Sequence, residues 1–244
     1  MNTIFLNIIN SKAKDEKLLA VLIDPDKMSP TNVSCFIAKV NQSVATHIFV
    51  GGSEVRENAT EVLVIEIKKH TNLPVVIFPG DVTQITQKAD AILFLSLLSG
   101  RNPDYLIGKH VEAVSKLKNS NLEVIPTGYI LIQNGKKTSV QRVSKTEPIK
   151  REDITQIVHT AKAGELLGKK LIYLEAGSGA THAIDTNIIE KVAEQINIPL
   201  IVGGGIRNKA TMNAIYKAGA DLIVIGNAFE EDETFFNELK KKSD

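Results

Sequence analysis

Residues 202–229 read VGGGIRNKATMNAIYKAGADLIVIGNAF. An apolar strand-like run enters Gly203-Gly204-Gly205, a helix-like stretch follows, and a second apolar run ends at Gly226-Asn227. Strand, glycine turn, helix and strand in that order make a βαβ unit, whose crossover is right-handed and whose two strands are parallel. Glycine turns at both strand ends let backbone approach a ligand closely, and such turns after consecutive strands are a frequent phosphate site.

Working upstream, the same kind of run recurs at residues 18–24, 46–52, 74–80, 91–97, 123–129 and 170–176, and 199–205 and 222–228 complete a set of eight. Each is a continuous apolar run rich in Val, Ile and Leu, as expected of parallel strands buried on both faces. Eight strand–helix units in 244 residues predict a single (β/α)8 barrel domain spanning 1–244; an open doubly wound sheet fits the regular count less well. Two connections are unusual. DVTQITQKAD, between the third and fourth runs, is short for a crossover helix and predicts a gap in the outer ring. Residues 129–151 form a long insertion with a hairpin signal at Asn134-Gly135 and six basic residues, Lys136, Lys137, Arg142, Lys145, Lys150 and Arg151. The insertion follows a strand end, so it should stand over the mouth of the barrel, where its charges either attract phosphorylated substrates or simply face solvent.

A formal charge of +1 argues against a nucleic-acid partner, and the apolar runs are too short to span a membrane, so membrane contact is expected to be at most transient. The N-terminal stretch reads as a short amphipathic helix rather than a secretory leader. One cysteine, Cys35, in NVSCFIAKV, excludes an internal disulfide framework, fits a cytoplasmic setting, and is read as a small core residue. His47, His70, His110, His159 and His182 are scattered without metal-site spacing; His182 follows a glycine loop.

Chemistry-bearing residues fall where the runs end: Asp24, Ser53, Pro79 and Gly80, Ser96, Thr127, Glu175, Gly204 and Gly226. In a barrel these ends share one face. LIYLEAGSGA (171–180) adds a third glycine loop, with Ser178 as a hydroxyl donor, and places one carboxylate, Glu175, beside it. Tyr173, two residues earlier, projects to the same side of the strand. IDPDK and GGSE, on adjacent strands, bring Asp24 and Ser53 together as two hard oxygen ligands. Two are too few for a structural metal but suit a Mg²⁺ shared with a diphosphate. The lesser reading of Asp24-Pro25 is a turn former. Asp26, Lys27 and Glu54 are lesser candidates there, as is Arg207 near the phosphate loops.

In order and spacing, IDPDK, FVGGSE, IFPG, SLLSGRNP, IPTGYILI, IYLEAGSGA, IVGGGIR and VIGNAF resemble the geranylgeranylglyceryl phosphate synthase family, with its bacterial heptaprenylglyceryl phosphate synthase relatives, over nearly the whole chain. The resemblance implies a modified TIM barrel with the third helix reduced or replaced. It implies transfer of a prenyl group, geranylgeranyl above others, from its diphosphate to a hydroxyl of sn-glycerol 1-phosphate, with Mg²⁺ assisting. It places Mg²⁺ on Asp24 and Ser53, the glycerol phosphate on Tyr173, Leu174, Glu175, Ala176, Gly177, Ser178, Gly179, Gly204, Gly205, Gly226 and Asn227, and the base at Glu175. Tyr173 would orient the acceptor or flank the cation. Part of the family has a phosphate-binding lysine at the position of Leu22; this chain resembles the second group, often hexameric, so a homo-oligomer, dimer or hexamer, is expected. A tail of ~20 carbons would gain on the order of 10 kcal/mol if fully buried, so an apolar groove is expected, and the sparse third connection offers the place for it. The competing readings are another phosphate-binding barrel enzyme, such as a sugar-phosphate isomerase, and a non-catalytic phosphometabolite-binding protein.

Overall fold

In the computed structural model, which describes residues 3–226, 228–229 and 235–241, all eight runs are strands. They are β1 (Leu18–Ile23), β2 (His47–Val50), β3 (Val75–Ile77), β4 (Ala91–Leu97), β5 (Glu123–Leu131), β6 (Leu171–Glu175), β7 (Leu200–Gly203) and β8 (Leu222–Ile225). Each pairs in parallel with the next, and β8 pairs with β1, closing a barrel. Alternate strand residues face inward or outward. Inward residues such as Ala20, Phe49, Leu93, Ile201 and Val224 pack one another. Outward residues such as Val21, Ile48, Ile172 and Val202 pack the surrounding helices. Both faces are dry, which is why the strands read as continuous apolar runs.

Helix α1 (Ile4–Ala13) sits at the opposite end from the strand termini that carry the chemistry. Its first amides are held by Glu123 at the start of β5: Ile4 N–H donates to Oε2 at 2.6 Å and Phe5 N–H to Oε1 at 3.1 Å. A carboxylate at a helix N-terminus satisfies orphan donors and complements the dipole. Ile4 and Ile8 then join the interior cluster and close the barrel floor. Helix α2 (Val33–Gln42) buries Val33, Phe36, Ile37 and Val40, spaced for one helical face. Cys35 falls on the other face and is exposed, which corrects its reading as a core residue.

Helix α3 (Ala59–Lys68) joins β2 to β3, but the β3–β4 connection holds only the 3₁₀ turn Val82–Gln84. The crossover helix after β3, the third of the barrel's outer ring, is therefore missing. Gln84 fills part of the space: its Nε2 donates to Gly52 O at 2.8 Å, tying the new connection to the loop after β2. Beyond the gap, a π-turn at Asp104–Gly108 leads into α4 (Lys109–Leu117), whose buried residues are only His110 and Ala113.

The insertion differs from expectation. There is no antiparallel hairpin: Ile132 bridges Ile149 in parallel, and a short helix, α5 (Ser139–Ser144), lies between them. The helix wins because Thr138 and Gln141 form a capping box. The segment does lie over the barrel mouth, where Arg142 holds Glu54 at 2.6 Å. Arg151 is committed to Asp185 and to the buried Asn134, so it braces the insertion from outside. The ring of helices is completed by α6 (Ile154–Leu166), α7 (Thr186–Ala193) and α8 (Lys209–Lys217), and a last short helix, Phe235–Glu238, packs Phe236 against Phe36 of α2. Among the described residues, no helix is long and apolar enough to cross a membrane.

Candidate active site

Glu175 is the last residue of β6 and points into the barrel mouth, only 5 % exposed. Its Oε1 accepts the Gly177 N–H at 2.6 Å. Burial raises its pKa from 4.5 to about 7, while the Gly177 amide and the neighbouring Tyr173 hydroxyl pull the other way. A carboxylate poised near neutrality can accept a proton from an alcohol and return it to solvent. Tyr173 is fully buried. Its hydroxyl lies close enough to Glu175 to stabilise the carboxylate, yet forms no well-aligned hydrogen bond, so it remains able to turn to an incoming ligand. The ring stacks on Phe78 at 5.2 Å and leans on Tyr129 at 5.3 Å.

The glycines make room for this pair. A Cβ on Gly203 would lie 2.2 Å from the Tyr173 hydroxyl and 3.1 Å from Glu175 Oε2. One on Gly204 would lie 2.5 Å from Glu175 Oε1, and Gly204 also has φ +85°, which disfavours any side chain. Gly177, Ser178, Gly179, Gly204, Gly205 and Gly226 all line the same cavity. Two amides of this loop are already engaged, that of Gly177 by Glu175 Oε1 and that of Ala180 by Gly177 O. Leu174 and Ala176 point outward into the helix layer and can contribute only backbone. Asn227 lies outside the described residues. The His182 side chain is exposed; its carbonyl accepts from Asn134.

Across the mouth, Asp24 follows β1 and Ser53 follows β2, and both line the cavity. A Cβ on Gly52 would stand 3.2 Å from Asp24 Oδ1, so the two loops touch. Asp24 Oδ1 accepts the Asp26 N–H at 3.0 Å, and Lys27 Nζ is 3.9 Å from Oδ2. Asp26 itself pairs with Arg56 at 3.0 Å, and Glu54 with Arg142. Among the described residues no group of three or more His, Cys, Asp or Glu could hold a metal. One carboxylate and one hydroxyl suit an ion that brings other ligands with it. Leu22 faces Gly226 on this side.

The cavity, about 340 Å³, does not stop at the mouth. It continues through the gap left by the missing helix, between the 3₁₀ connection and α4, along Val82, Ile85, Phe94 and Ala113. One void thus joins a polar, glycine-lined end to an apolar groove.

Comparison with known proteins agrees with this geometry. Residues 11–243 match the model of the PcrB family. The chain belongs to the PcrB family. The geranylgeranylglyceryl phosphate synthase of Flavobacterium johnsoniae is 56 % identical over 237 residues, covering 97 % of this chain and 98 % of the relative. That of Zunongwangia profunda is 57 % identical over 226 residues, covering 93 % and 96 %. Among solved structures, (S)-3-O-geranylgeranylglyceryl phosphate synthase from Thermoplasma acidophilum, in complex with its substrate sn-glycerol-1-phosphate, superposes with a TM-score of 0.91 at 33 % identity, covering 98 % of this chain and 96 % of that one.

In this PcrB-family chain, Asp24, Ser53, Tyr173, Glu175 and glycines of the loops after β6, β7 and β8 line one cavity. Sequence reading missed the aromatic pair Phe78 and Tyr129 lining the cavity, and the Lys109–Asp81 pair on the groove. Phe78 had a signal, since it precedes Pro79-Gly80 at a strand end. Lys109 and Asp81 had none, because only the missing helix brings residues 28 apart in the chain into contact.

Proposed function

We propose that this protein transfers a prenyl group, geranylgeranyl above others, from its diphosphate to a hydroxyl of sn-glycerol 1-phosphate. The products are an ether-linked prenylglyceryl phosphate and diphosphate. The observation that carries the reading is the neutral-range Glu175 at the junction between a glycine-lined polar pocket and an apolar groove. A phosphate pocket alone would suit an isomerase or a binding protein; a long apolar groove leading to the same base suits neither.

Each step follows from the residues. Glycines of the loops after β6, β7 and β8 receive the acceptor's phosphate and leave its hydroxyl toward Glu175. The prenyl tail lies along Ile85, Phe94 and Ala113, so its first carbon comes to rest at the mouth. The bond from that carbon to the diphosphate oxygen breaks, and a bond to the glycerol oxygen forms. Glu175 takes the hydroxyl proton and later releases it to water. Phe78, Tyr129 and Tyr173 offer ring faces to the positive charge that develops on the allylic carbon. Holding both substrates in one void supplies much of the acceleration.

Asp24 and Ser53 are the residues that would hold Mg²⁺. When bound, the ion neutralises charge on the diphosphate leaving group. The setting is read as cytoplasmic and the product as a membrane-lipid precursor. A homo-oligomer is also part of the proposal, supported by the exposed apolar residues Ile107 on the π-turn and Val111 and Val114 on α4.

The test is incubation with labelled glycerol 1-phosphate and prenyl diphosphates of graded length, with and without Mg²⁺. Ether product that requires Mg²⁺ is expected, and its absence with every donor would overturn the reading.

A further inference from the structure

Three cationic side chains line the cavity among the described residues, besides the imidazole of His110. Arg207 belongs to the glycine-loop end and Lys27 lies beside Asp24. Lys109 is the one carried by the groove wall. It stands at the first position of α4, and its Nζ meets Asp81 Oδ2 at 2.5 Å across the opening where groove and mouth join. The Tyr105 ring lies under the ammonium, 5.5 Å from its centroid. Asp81 follows Gly80, whose position is so tight that a side chain there would meet the Ser53 backbone at 2.8 Å. Lys109 is thereby placed between the hydroxyl of the metal-binding pair and the apolar track for the tail.

From this placement we infer that Lys109 binds the diphosphate of the prenyl donor, exchanging Asp81 for it. The inference rests on the prenyl-transfer reading. A donor with its tail on Ile85, Phe94 and Ala113 and its metal on Asp24 and Ser53 must pass its diphosphate beside Lys109 Nζ. The exchange is easy for Asp81. Its side chain is 35 % exposed, and its Oδ1 keeps the Thr83 N–H at 3.1 Å when the lysine leaves. A part-exposed ion pair of this kind contributes little. A diphosphate offers more charge and several acceptors within reach of a compact three-donor ammonium. Asp81 then has a second role: it holds Lys109 in the throat while the donor is absent, and its negative charge competes with the diphosphate.

This second role separates ligand binding from a structural clasp. If the pair merely pins α4 to the 3₁₀ connection, removing either partner does the same harm. If Lys109 binds diphosphate, the two variants move in opposite directions. The experiment compares wild type with Lys109→Met, Lys109→Arg and Asp81→Asn, using steady-state kinetics and inorganic diphosphate as competitor. Lys109→Met is expected to raise KM for the prenyl diphosphate and Ki for inorganic diphosphate at least tenfold, with KM for glycerol 1-phosphate unchanged. Lys109→Arg should recover most of the loss, and Asp81→Asn should leave both constants unchanged or lower. Parallel losses in Lys109→Met and Asp81→Asn would overturn the inference, as would an unchanged Ki in Lys109→Met. A wild type that makes no ether product would instead sink the reading on which it rests. Thermal melts of all three variants identify any that fails to fold; if Lys109→Met is that one, the Arg and Asn variants decide, because an Asp81→Asn variant that raises Ki for inorganic diphosphate tenfold overturns the assignment.

Discussion

Replacing Glu175 by Gln should make the protein more stable and nearly inactive at once. The carboxyl is buried, and its pKa stands near 7 instead of 4.5. In the unfolded chain it ionises at its ordinary value. Between those two values the native state therefore holds a proton that the unfolded state has lost, so stability falls as pH rises through that window. The displacement of ~2.5 units corresponds to about 3 kcal/mol, present below pH 4.5 and lost above pH 7. Glutamine is neutral at every pH and its Oε1 can still accept the Gly177 N–H. At pH 8 the variant should thus melt higher, by roughly 5–10 °C for a chain of this size, and the gain should vanish near pH 4. Turnover at pH 8 should drop by about 10²-fold or more, the usual worth of a general base. The assay is a pair of melting series from pH 4 to 8 with kcat measured in parallel. A difference in melting temperature that stays flat across the series would refute the argument that burial holds Glu175 near neutrality. Near-normal turnover would remove it as the base.

Gly203→Ala should leave the barrel folded, by circular dichroism, yet lower kcat at least tenfold, because the new methyl displaces the Tyr173 hydroxyl and the carboxylate beside it. Asp24→Ala should raise the Mg²⁺ concentration needed for half-maximal activity at least tenfold without changing KM for glycerol 1-phosphate; an unchanged magnesium titration counts against its ligand role. Burial depresses the pKa of His47, at the floor end of β2, to about 4. Its native state refuses a proton that the unfolded chain accepts below 6.5, so stability falls as pH drops toward 4, by about 3 kcal/mol. A His47→Gln variant should lose that acid-side slope in urea titrations. Ala113→Phe should narrow the groove and raise KM for long prenyl diphosphates more than for short ones; equal changes for all lengths would place the tail elsewhere.

The fold was legible because parallel strands covered on both sides leave an unbroken apolar signature. All eight runs are strands, and the short DVTQITQKAD connection already signals the missing helix. Asp24, Ser53, Pro79, Gly80, Glu175, Gly204 and Gly226 converged for the same topological reason, since every β-to-α loop of a barrel opens on one face. Ser96 bonds His110 and Lys169 instead, and Thr127 lies inside β5 with its hydroxyl donating to Ile125 O. What stayed hidden depends on contacts that sequence spacing does not encode. Asn134-Gly135 is a strong local turn signal, but whether the flanking segments pair antiparallel is decided by where Ile149 lands, beside Ile132 in parallel. The Thr138–Gln141 capping box was a readable helix signal that the turn signal overshadowed. Cys35 needed helical phase, not hydrophobicity: its neighbours Phe36 and Ile37 occupy the buried face. The Phe78–Tyr173 stack joins residues from strands on nearly opposite sides of the barrel, and no local pattern reports it.

The placement of a carboxylate beside an anion pocket follows from the same burial that raises its pKa. Were Glu175 fully ionised at neutral pH, a bound phosphate nearby would meet a full charge of its own sign in a medium that screens poorly. At a pKa near 7 the group is about half protonated at neutrality, so the repulsion on binding is reduced. A phosphate arriving on the glycine loops adds negative charge and favours the protonated carboxyl further, while positive charge growing on the allylic carbon favours the ionised one. In the proposed reaction the acceptor thus docks against a nearly neutral group, whereas the developing cation and the attacking hydroxyl meet an effective base. Two features of the chain serve that alternation. Glycine at 203 and 204 lets the carboxylate sit deep enough to be dry, and the Tyr173 hydroxyl, lacking an aligned partner of its own, can follow the charge as it changes.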